Sequence, residues 1–528
     1  MLHTTTATRG MVTAPHHLAA ESGLAVLREG GNAIEAMVAA AAAIAVVYPH
    51  MNSIGGDSFW LIKSPGEAPV GIDACGAAGG GVTPALYHSK GLQKIPSRGP
   101  LAANTVAGTV SGWDLALQLS GRWGGALPLK RLLQDAVWYA EHGVPVTSGQ
   151  EALTRDKLNE LKDVPGFAGT FLAEGKPRAS RSLQLQPRLA ATLKVLADRG
   201  LDDFYRGTLA QAIAADLSRA GSPLTAADLA GHHSHMVEPF EIGLSIGSVY
   251  NLPPPTQGLA SLMILGVFDR LGIDKPEEFR FVHGLVEATK LAFQIRDREI
   301  GDPVFRQIKP ETFLSAAHLD ELASRVSFER ARESRHVAEK GDTIWMGAVD
   351  RAGRAVSFIQ SLYWEYGSGV VLEETGFQWQ NRGTSFQLEQ GMSNSLEPGR
   401  KPFHTLNPAL AVLNDGCVMP YGTMGGDGQP QTQAEILTRH AWFKQDLQTA
   451  ISAPRWLYGR TWGADSTTLK LESRFPTQLI DELRTRHDVE VVQAFDTVMG
   501  HAGALVLHPD GLIEGASDPR SDGRAAGF

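Results

Sequence analysis

The sequence predicts an α+β fold in which sheets are sandwiched between helical layers. Up to about Asp342 the chain reads mainly as helices separated by Gly/Pro-rich joints. Beyond Asp342 short β-like runs appear, joined by strong turn signals. Three pairs of these runs read as hairpins, each with a glycine where the loop needs a positive φ.

The elements follow in order. Ala19–Glu29 patterns as a helix and stops at Gly30-Gly31. Asn32 is a suitable N-cap for a second helix running to about Val47. The stretch Ala36–Val47 is the most apolar of the chain, but it is too short to span a bilayer and is flanked by Asn32, Glu35 and His50. It reads as a buried, Ala-rich helix. Further helical patterns cover Leu115–Leu119, Leu129–His142, Pro187–Asp198, Leu209–Ala220, Gly258–Leu271 and Glu277–Arg298. Ala74–Thr83 and Leu252–Gln257 read as loops. The hairpins pair Ile344–Val349 with Arg354–Leu362, Ala409–Leu413 with Cys417–Tyr421, and Gly503–His508 with Leu512–Gly515. Helices at Gln431–Trp442 and Thr477–Arg486 alternate with them.

Bulk composition narrows the function classes. The 528 residues are 43% hydrophobic and 20% charged, ample for a large core. The net charge of -9 and the lack of any Lys/Arg run argue against nucleic-acid binding, which needs a concentrated basic surface. Cys75 and Cys417 cannot build a disulfide framework and fit a reducing compartment. Met1–Arg9 lacks a basic segment followed by an apolar stretch, so the expectation is a cytoplasmic protein without a membrane anchor.

Gly341-Asp342-Thr343 stands just before the first hairpin. A threonine hydroxyl is a weak nucleophile unless a base lies beside it. Making threonine the first residue of a chain supplies one, because its own α-amine, with a pKa of about 7.7–8.0, takes the proton. Taken alone, a threonine entering a strand reads as structural. The hairpin register adds to the case. With Arg351-Ala352-Gly353 as the loop, Thr343 lies opposite Ser361 on one face, whereas a one-residue slip would substitute Gln360.

A set of segments then carries a resemblance over nearly the whole chain. Gly30-Gly31-Asn32-Ala33-Ile34-Glu35-Ala36, Ser53-Ile54-Gly55-Gly56-Asp57-Ser58-Phe59 and Val106-Ala107-Gly108-Thr109-Val110-Ser111-Gly112 resemble segments of γ-glutamyltransferases. Phe204-Tyr205-Arg206-Gly207, Leu252-Pro253-Pro254-Pro255, Gly301-Asp302-Pro303, Ala453-Pro454-Arg455 and Ala516-Ser517-Asp518-Pro519-Arg520 also match, in family order and spacing. The resemblance implies a four-layer αββα N-terminal-nucleophile hydrolase made as a zymogen. It implies autocatalytic cleavage between Asp342 and Thr343 into a large subunit, residues 1–342, and a small subunit, residues 343–528, packed as one compact domain. The two would form a heterodimer, or a dimer of heterodimers. Thr343 takes the place of the family's processing-site threonine, Ser361 that of the hydroxyl residue touching it, and Gly425-Gly426 that of the oxyanion loop.

The substrate residues depart from the γ-glutamyl pattern. Where the family has Asp-Tyr-Arg-Glu, this chain has Asp73-Ala74-Cys75-Gly76, so the arginine that holds the glutamyl α-carboxylate is missing. Tyr363 replaces the asparagine after the hydroxyl residue. Arg382 and Ser385 replace a glutamine and an aspartate, and His404-Thr405 replace a Ser-Ser pair. The Phe386–Lys401 segment looks shorter than the usual lid. Loss of a carboxylate argues against an α-amino-acid head, while Arg382 offers a bidentate carboxylate partner. The variant pattern resembles a divergent branch that includes acylase-like proteins and oxamate amidohydrolase of purine catabolism.

The expectation is an N-terminal threonine amidohydrolase without metal or cofactor, acting on a small carboxylate-bearing amide, with oxamate hydrolysed to oxalate and ammonia as the leading case. Arg382, Tyr363, His404, Thr405 and Ser385 would bind that substrate, and water would be the acyl acceptor. Alternatives are γ-glutamyl or glutathione hydrolysis or transfer, deacylation of a bulkier amide, and a non-processing binding protein of the same fold. His232-His233-Ser234-His235 lacks metal-ligand spacing. Gly76–Gly81 lacks the strand and helix of a dinucleotide site. Cys75 has no visible basic partner and reads as pocket wall.

Overall fold

A computed structural model of the chain describes residues 3–333, 341–459 and 468–528. Two seven-stranded sheets dominate it. In chain order their strands are β1 (Thr5–Ala7), β2 (Gly10–Ala14), β3 (Asp57–Lys63), β4 (Val70–Ala74), β5 (His235–Val237), β6 (Phe240–Leu244), β7 (Gly247–Asn251), β8 (Asp342–Asp350), β9 (Ala355–Tyr363), β10 (Ala409–Leu413), β11 (Val418–Thr423), β12 (Ala502–Leu507), β13 (Ile513–Ser517) and β14 (Arg524–Gly527). One sheet has the order β1-β13-β12-β11-β10-β7-β6, the other β14-β2-β8-β9-β3-β4-β5.

The hydrophobic pattern stacks these sheets into four layers. Along β8, Ile344, Met346 and Ala348 join the outer core formed with α1 (His17–Arg28), α2 (Ala33–Val47) and α3 (Thr109–Arg122). The alternate residues Trp345 and Val349 lie between the sheets, with Phe59, Ile359, Leu406 and Leu410 near one end and Met11 and Leu505 near the other. On the far side α4 (Gly258–Phe268), α5 (Phe279–Glu299) and α6 (Gly428–Leu437) cover Val249, Ala411, Met419, Ala504 and Val506. Trp345 requires glycine opposite it: a Cβ on Gly422 would come 2.2 Å from its ring and one on Gly503 2.7 Å.

Helix α2 starts as its sequence indicates. The Asn32 side chain accepts from Ile34 and Glu35 N–H, and Glu35 accepts from Asn32 N–H at 2.9 Å. Ala33 N–H also donates to Asp350 at 3.0 Å, tying the helix start to the β8–β9 corner. All 15 residues of α2 are buried, in keeping with an apolar helix inside a large protein.

Residues on either side of Asp342–Thr343 interleave in both sheets. β1, β6 and β7 complete the sheet that holds β10–β13, and β2–β5 complete the one that holds β8, β9 and β14.

Some expectations are corrected. The helix read over Leu129–His142 is divided at Leu133, whose φ of -91° and ψ of -4° close the first short segment. The helix read as Gln431–Trp442 begins at Gly428, ends at Leu437 and continues as a π-turn over Thr438–Trp442. The hairpin of β6 and β7 was absent from the sequence reading. Its edge strand buries only Ile242, so it lacks the apolar alternation that marks a strand.

Candidate active site

Strand β8 enters the sandwich at Gly341. Asp342 pairs with Tyr363, after which a bulge shifts the register so that Ile344 pairs with Gln360. Thr343 occupies that bulge and is buried, on the inter-sheet side and beside Ser361. Thr343 Oγ1 donates to Ser361 Oγ at 3.2 Å, and Ser361 Oγ also accepts from Tyr363 N–H at 2.7 Å. The hairpin closes as expected, with Asp350 N–H donating to Arg354 O at 3.1 Å and Gly353 at φ +79°.

Beyond β11, Gly425 and Gly426 turn the chain into α6 with φ of +119° and +54°, values that favour residues without a Cβ. Gly428 N–H donates to Gly425 O at 2.7 Å, and Gln429 N–H to Gly426 O at 3.2 Å. The turn lies directly against the entering chain: a Cβ on Gly426 would come 3.1 Å from Gly341 N. A Cβ on Gly341 would meet the Tyr363 ring at 3.4 Å and Thr405 Oγ1 at 3.5 Å. The uncut chain therefore fills the space bounded by the glycine turn, Tyr363 and Thr405.

A brace behind this turn was missed in the sequence. Gln257 Nε2 donates to Thr405 O at 2.7 Å and to Gly426 O at 2.9 Å. Its Oε1 accepts from Arg296 Nη1 at 2.7 Å, and the same nitrogen lies 2.8 Å from Asp427 Oδ1. Gln257, Arg296 and Asp427 are all buried. The available signal was a charged residue, Arg296, on the apolar side of a helix pattern. A buried charge requires a partner, but the sequence does not name it.

Arg382 opens a 3₁₀ turn, Arg382–Ser385, and is fully buried. Its guanidinium carbon lies over the Tyr363 ring, 3.6 Å from the centroid. Nε and Nη2 donate to Phe403 O at 3.0 and 2.7 Å, and Nη1 to Thr405 Oγ1 at 3.1 Å. Tyr363 itself has φ +82°, unusual for an aromatic residue. Ser385 Oγ reaches the same Phe403 O at 3.4 Å, and its own carbonyl accepts from Asn394 at 2.7 Å. Asn394 also accepts from Phe403 N–H at 2.9 Å, so the short Phe386–Lys401 segment is fastened to the wall that holds Arg382.

His404 stands one layer behind. Its Nε2 lies 3.1 Å from Asp57 Oδ2, and its Nδ1 accepts from Leu406 N–H at 3.4 Å. Burial, with Arg382 and Lys401 nearby, holds the imidazole well below its usual pKa. The contact is therefore a neutral N–H donated to a carboxyl rather than an ion pair. Burial raises Asp57 to about 7, against the pull of donors from Gly76, Gln380 and Gly108. Both His404 ring nitrogens are thus engaged within the protein. Thr343, Ser361, Gly425, Gly426, Tyr363, Arg382 and Thr405 form one cluster, with Ser385 and His404 as its supports.

Cys75 is buried, and burial followed by the Asp57 and Asp73 charges raises its thiol well above the usual range. The nearby cation Lys401, also missed in the sequence, pairs with Asp73 at 2.6 Å. Asp57, Cys75 and His404 place ligand-type atoms within 4.8 Å of one another, with Asp57 Oδ1 accepting three hydrogen bonds and Oδ2 engaged by His404. Of the His232–His235 run, His232 is buried and His233 and His235 are exposed.

The gamma-glutamyltranspeptidase family model matches residues 19–528. The oxamate amidohydrolase proenzyme of Klebsiella pneumoniae subsp. pneumoniae is 54% identical over 523 residues, covering 99% of both chains. The glutathione hydrolase-like YwrD proenzyme of Bacillus subtilis is 40% identical, also covering 99% of both. Among solved structures, a cephalosporin acylase from Bacillus halodurans superposes with a TM-score of 0.91 at 31% identity, covering 100% of this chain and 97% of that one. The chain belongs to the gamma-glutamyltranspeptidase family and has the N-terminal-nucleophile hydrolase fold.

Proposed function

We propose that this family member is an autoprocessing N-terminal-threonine amidohydrolase that converts oxamate to oxalate and ammonia. The observation that carries the substrate reading is the buried Arg382, which lies on Tyr363 and bonds to Thr405, the two side chains that with the glycine turn bound the space filled by Gly341. A guanidinium in that position suits a carboxylate one bond from the scissile carbonyl. The small space now filled by Gly341 suits a substrate of few atoms. The 54% identical relative named for oxamate supports the same choice.

In the precursor, Thr343 Oγ adds to the Asp342 carbonyl and the Asp342–Thr343 peptide bond shifts to an ester. Water hydrolyses the ester, leaving a carboxylate on residue 342 and a free α-amine on Thr343. The proenzyme names of the relatives support this processing. The pieces, residues 1–342 and 343–528, stay together as a heterodimer because each supplies strands to both sheets.

In the mature enzyme the α-amine takes the Thr343 hydroxyl proton as Oγ attacks the amide carbon. Ser361 orients that hydroxyl. The N–H groups of the Gly425-Gly426 turn receive the oxyanion. The amine returns its proton to the leaving nitrogen, ammonia departs and an oxalyl ester remains. Water, deprotonated by the same amine, hydrolyses the ester and releases oxalate. Arg382 holds the distal carboxylate throughout, with Thr405 and Ser385 fixing Arg382 and His404 fixing the wall behind it. We assign water as the acceptor and an intracellular metabolite as the substrate. Among the described residues no helix is long and apolar enough to cross a membrane.

The deciding experiment measures ammonia release from oxamate and related short amides beside turnover of γ-glutamyl-p-nitroanilide and glutathione. Efficient oxamate hydrolysis with negligible γ-glutamyl turnover is expected. The reverse result refutes the substrate assignment while leaving the processing chemistry untouched. Stimulation by glycylglycine with a new peptide product would refute water as the acceptor.

A further inference from the structure

Away from the active site, three metal-ligating side chains converge between the two pieces of the chain. His283 and Glu287 lie one turn apart on α5, so they share a face. His487, three residues beyond the helix Thr477–Arg484, approaches them from the other side of the cleavage point. One ligand atom from each residue lies within 4.8 Å of the others. His283 and Glu287 are buried, and His487 is partly buried.

The ring nitrogens are arranged for a metal. His283 Nε2 lies 2.8 Å from Ser327 O, which can only accept, so Nε2 carries the proton and Nδ1 presents a bare lone pair. Metal-binding histidines are commonly oriented in this way, by a carbonyl on the second nitrogen. Phe279 stacks on the His283 ring at 4.8 Å and Phe328 packs at 5.9 Å, fixing its plane. His283 Nδ1 faces His487 Nε2 at 2.8 Å. Two nitrogens on a tetrahedral zinc ion at about 2.0–2.1 Å would stand roughly 3.3 Å apart, so the rings need separate by only about 0.5 Å. Glu287 Oε1 accepts from Lys290 at 2.8 Å and Oε2 from Arg332 N–H at 3.0 Å. A carboxylate has about four acceptor sites, so both oxygens retain lone pairs. Lys290 and Arg486 add positive charge nearby and limit the affinity.

We propose that His283, Glu287 and His487 form a site for a borderline divalent cation of the Zn²⁺ type, with water as a fourth ligand, clamping the two pieces together. Two imidazoles and one carboxylate select zinc-like ions over Mg²⁺ or Ca²⁺, which prefer all-oxygen shells. The site also secures the chain leading towards the cleavage point, because Ser327 O holds His283 and Arg332 is held by Glu287 and Lys290. It does not depend on the substrate assignment.

The test uses the processed enzyme and the uncut Thr343→Ala chain, both stripped with chelator, then titrated with Zn²⁺ by calorimetry and followed by melting temperature. One Zn²⁺ per chain is expected in both, with a melting temperature that rises with Zn²⁺ and not with Mg²⁺. His487→Gln and Glu287→Gln should each weaken binding by at least about 10–100-fold, the loss that even an outer-shell change causes. Both variants should still melt cooperatively in chelator, which confirms that they fold. Unchanged Zn²⁺ affinity in both variants, or absence of stoichiometric binding to the native chain, overturns the proposal. So does binding abolished by Cys75→Ser, which would locate the ion at Asp57, Cys75 and His404.

Discussion

Replacing Gln257 by leucine keeps the side chain's size and removes the brace behind the Gly425-Gly426 turn. Three hydrogen bonds disappear: those to Thr405 O at 2.7 Å and Gly426 O at 2.9 Å, and that from Arg296 at 2.7 Å. Each buried group left unsatisfied costs about 1–3 kcal/mol. Arg296 keeps Asp427, so no charge is stranded outright. The catalytic effect is separate from this loss of stability. Deleting an oxyanion donor costs about 2.7–4 kcal/mol, and loosening the turn that carries it should cost somewhat less. A barrier increase of about 1–3 kcal/mol corresponds to a kcat lower by about 5- to 150-fold. In the proposed mechanism the oxyanion of self-cleavage and that of turnover both face this turn, so both rates should fall by similar factors while KM changes little. The assay pairs single-turnover processing, read on denaturing gels, with steady-state ammonia release. A variant that melts lower yet retains native kcat and processing rate would refute a positioning role for Gln257.

Three further outcomes are expected. Arg382→Ala should reduce oxamate turnover by more than about 100-fold, consistent with loss of a charge-assisted pair of about 3 kcal/mol. Because Arg382 covers Tyr363, the register partner of Asp342, it should slow self-cleavage too. Arg382→Lys, which keeps charge but not the planar stack, should recover some of each, and native kinetics in Arg382→Ala would rule the contact out. Thr343→Ala should remain one 56.7 kDa chain by denaturing mass spectrometry, and a fragment beginning at residue 343 would rule out Thr343 as the processing nucleophile. Stability should fall on acidification from about pH 6.5, the unfolded histidine pKa. His16, His50, His232 and His487 are lowered by burial to about 3, and His501 to about 4, so the unfolded chain takes up protons that the native fold refuses. Asp57 and Glu435, raised by burial to about 7, act in the opposite direction between about pH 4 and 7, but they are outnumbered. A melting temperature unchanged between pH 7 and 5 would contradict this balance.

Much of the site was legible because its signals are local. Hairpin geometry fixes register, so a three-residue loop ending in Gly353 was enough to pair Ile344 with Gln360 and bring Thr343 beside Ser361, although a bulge interrupts the ladder at Thr343. The positive-φ turn at Gly425-Gly426 was marked by its glycines, and the N-terminus of α2 by Asn32 and Glu35. In each case the partners lie close in sequence, or the backbone conformation selects the residue type.

The remainder depended on contacts between distant segments. Gln257, Arg296 and Asp427 meet only when α4, α5 and α6 pack on one sheet, and sequence periodicity cannot specify which buried polar groups will pair. His404 had the composition of a substrate ligand, but packing against Asp57 turned both its nitrogens inward. Arg382 was identifiable as a candidate cation, whereas its stacking on Tyr363 follows from a 3₁₀ turn meeting the end of a strand. The sequence by itself indicated most of the elements, the candidate threonine and the charges available. The tertiary structure decided which of those charges face the threonine, because desolvation and hydrogen bonding act through space and follow the packed layers rather than the chain.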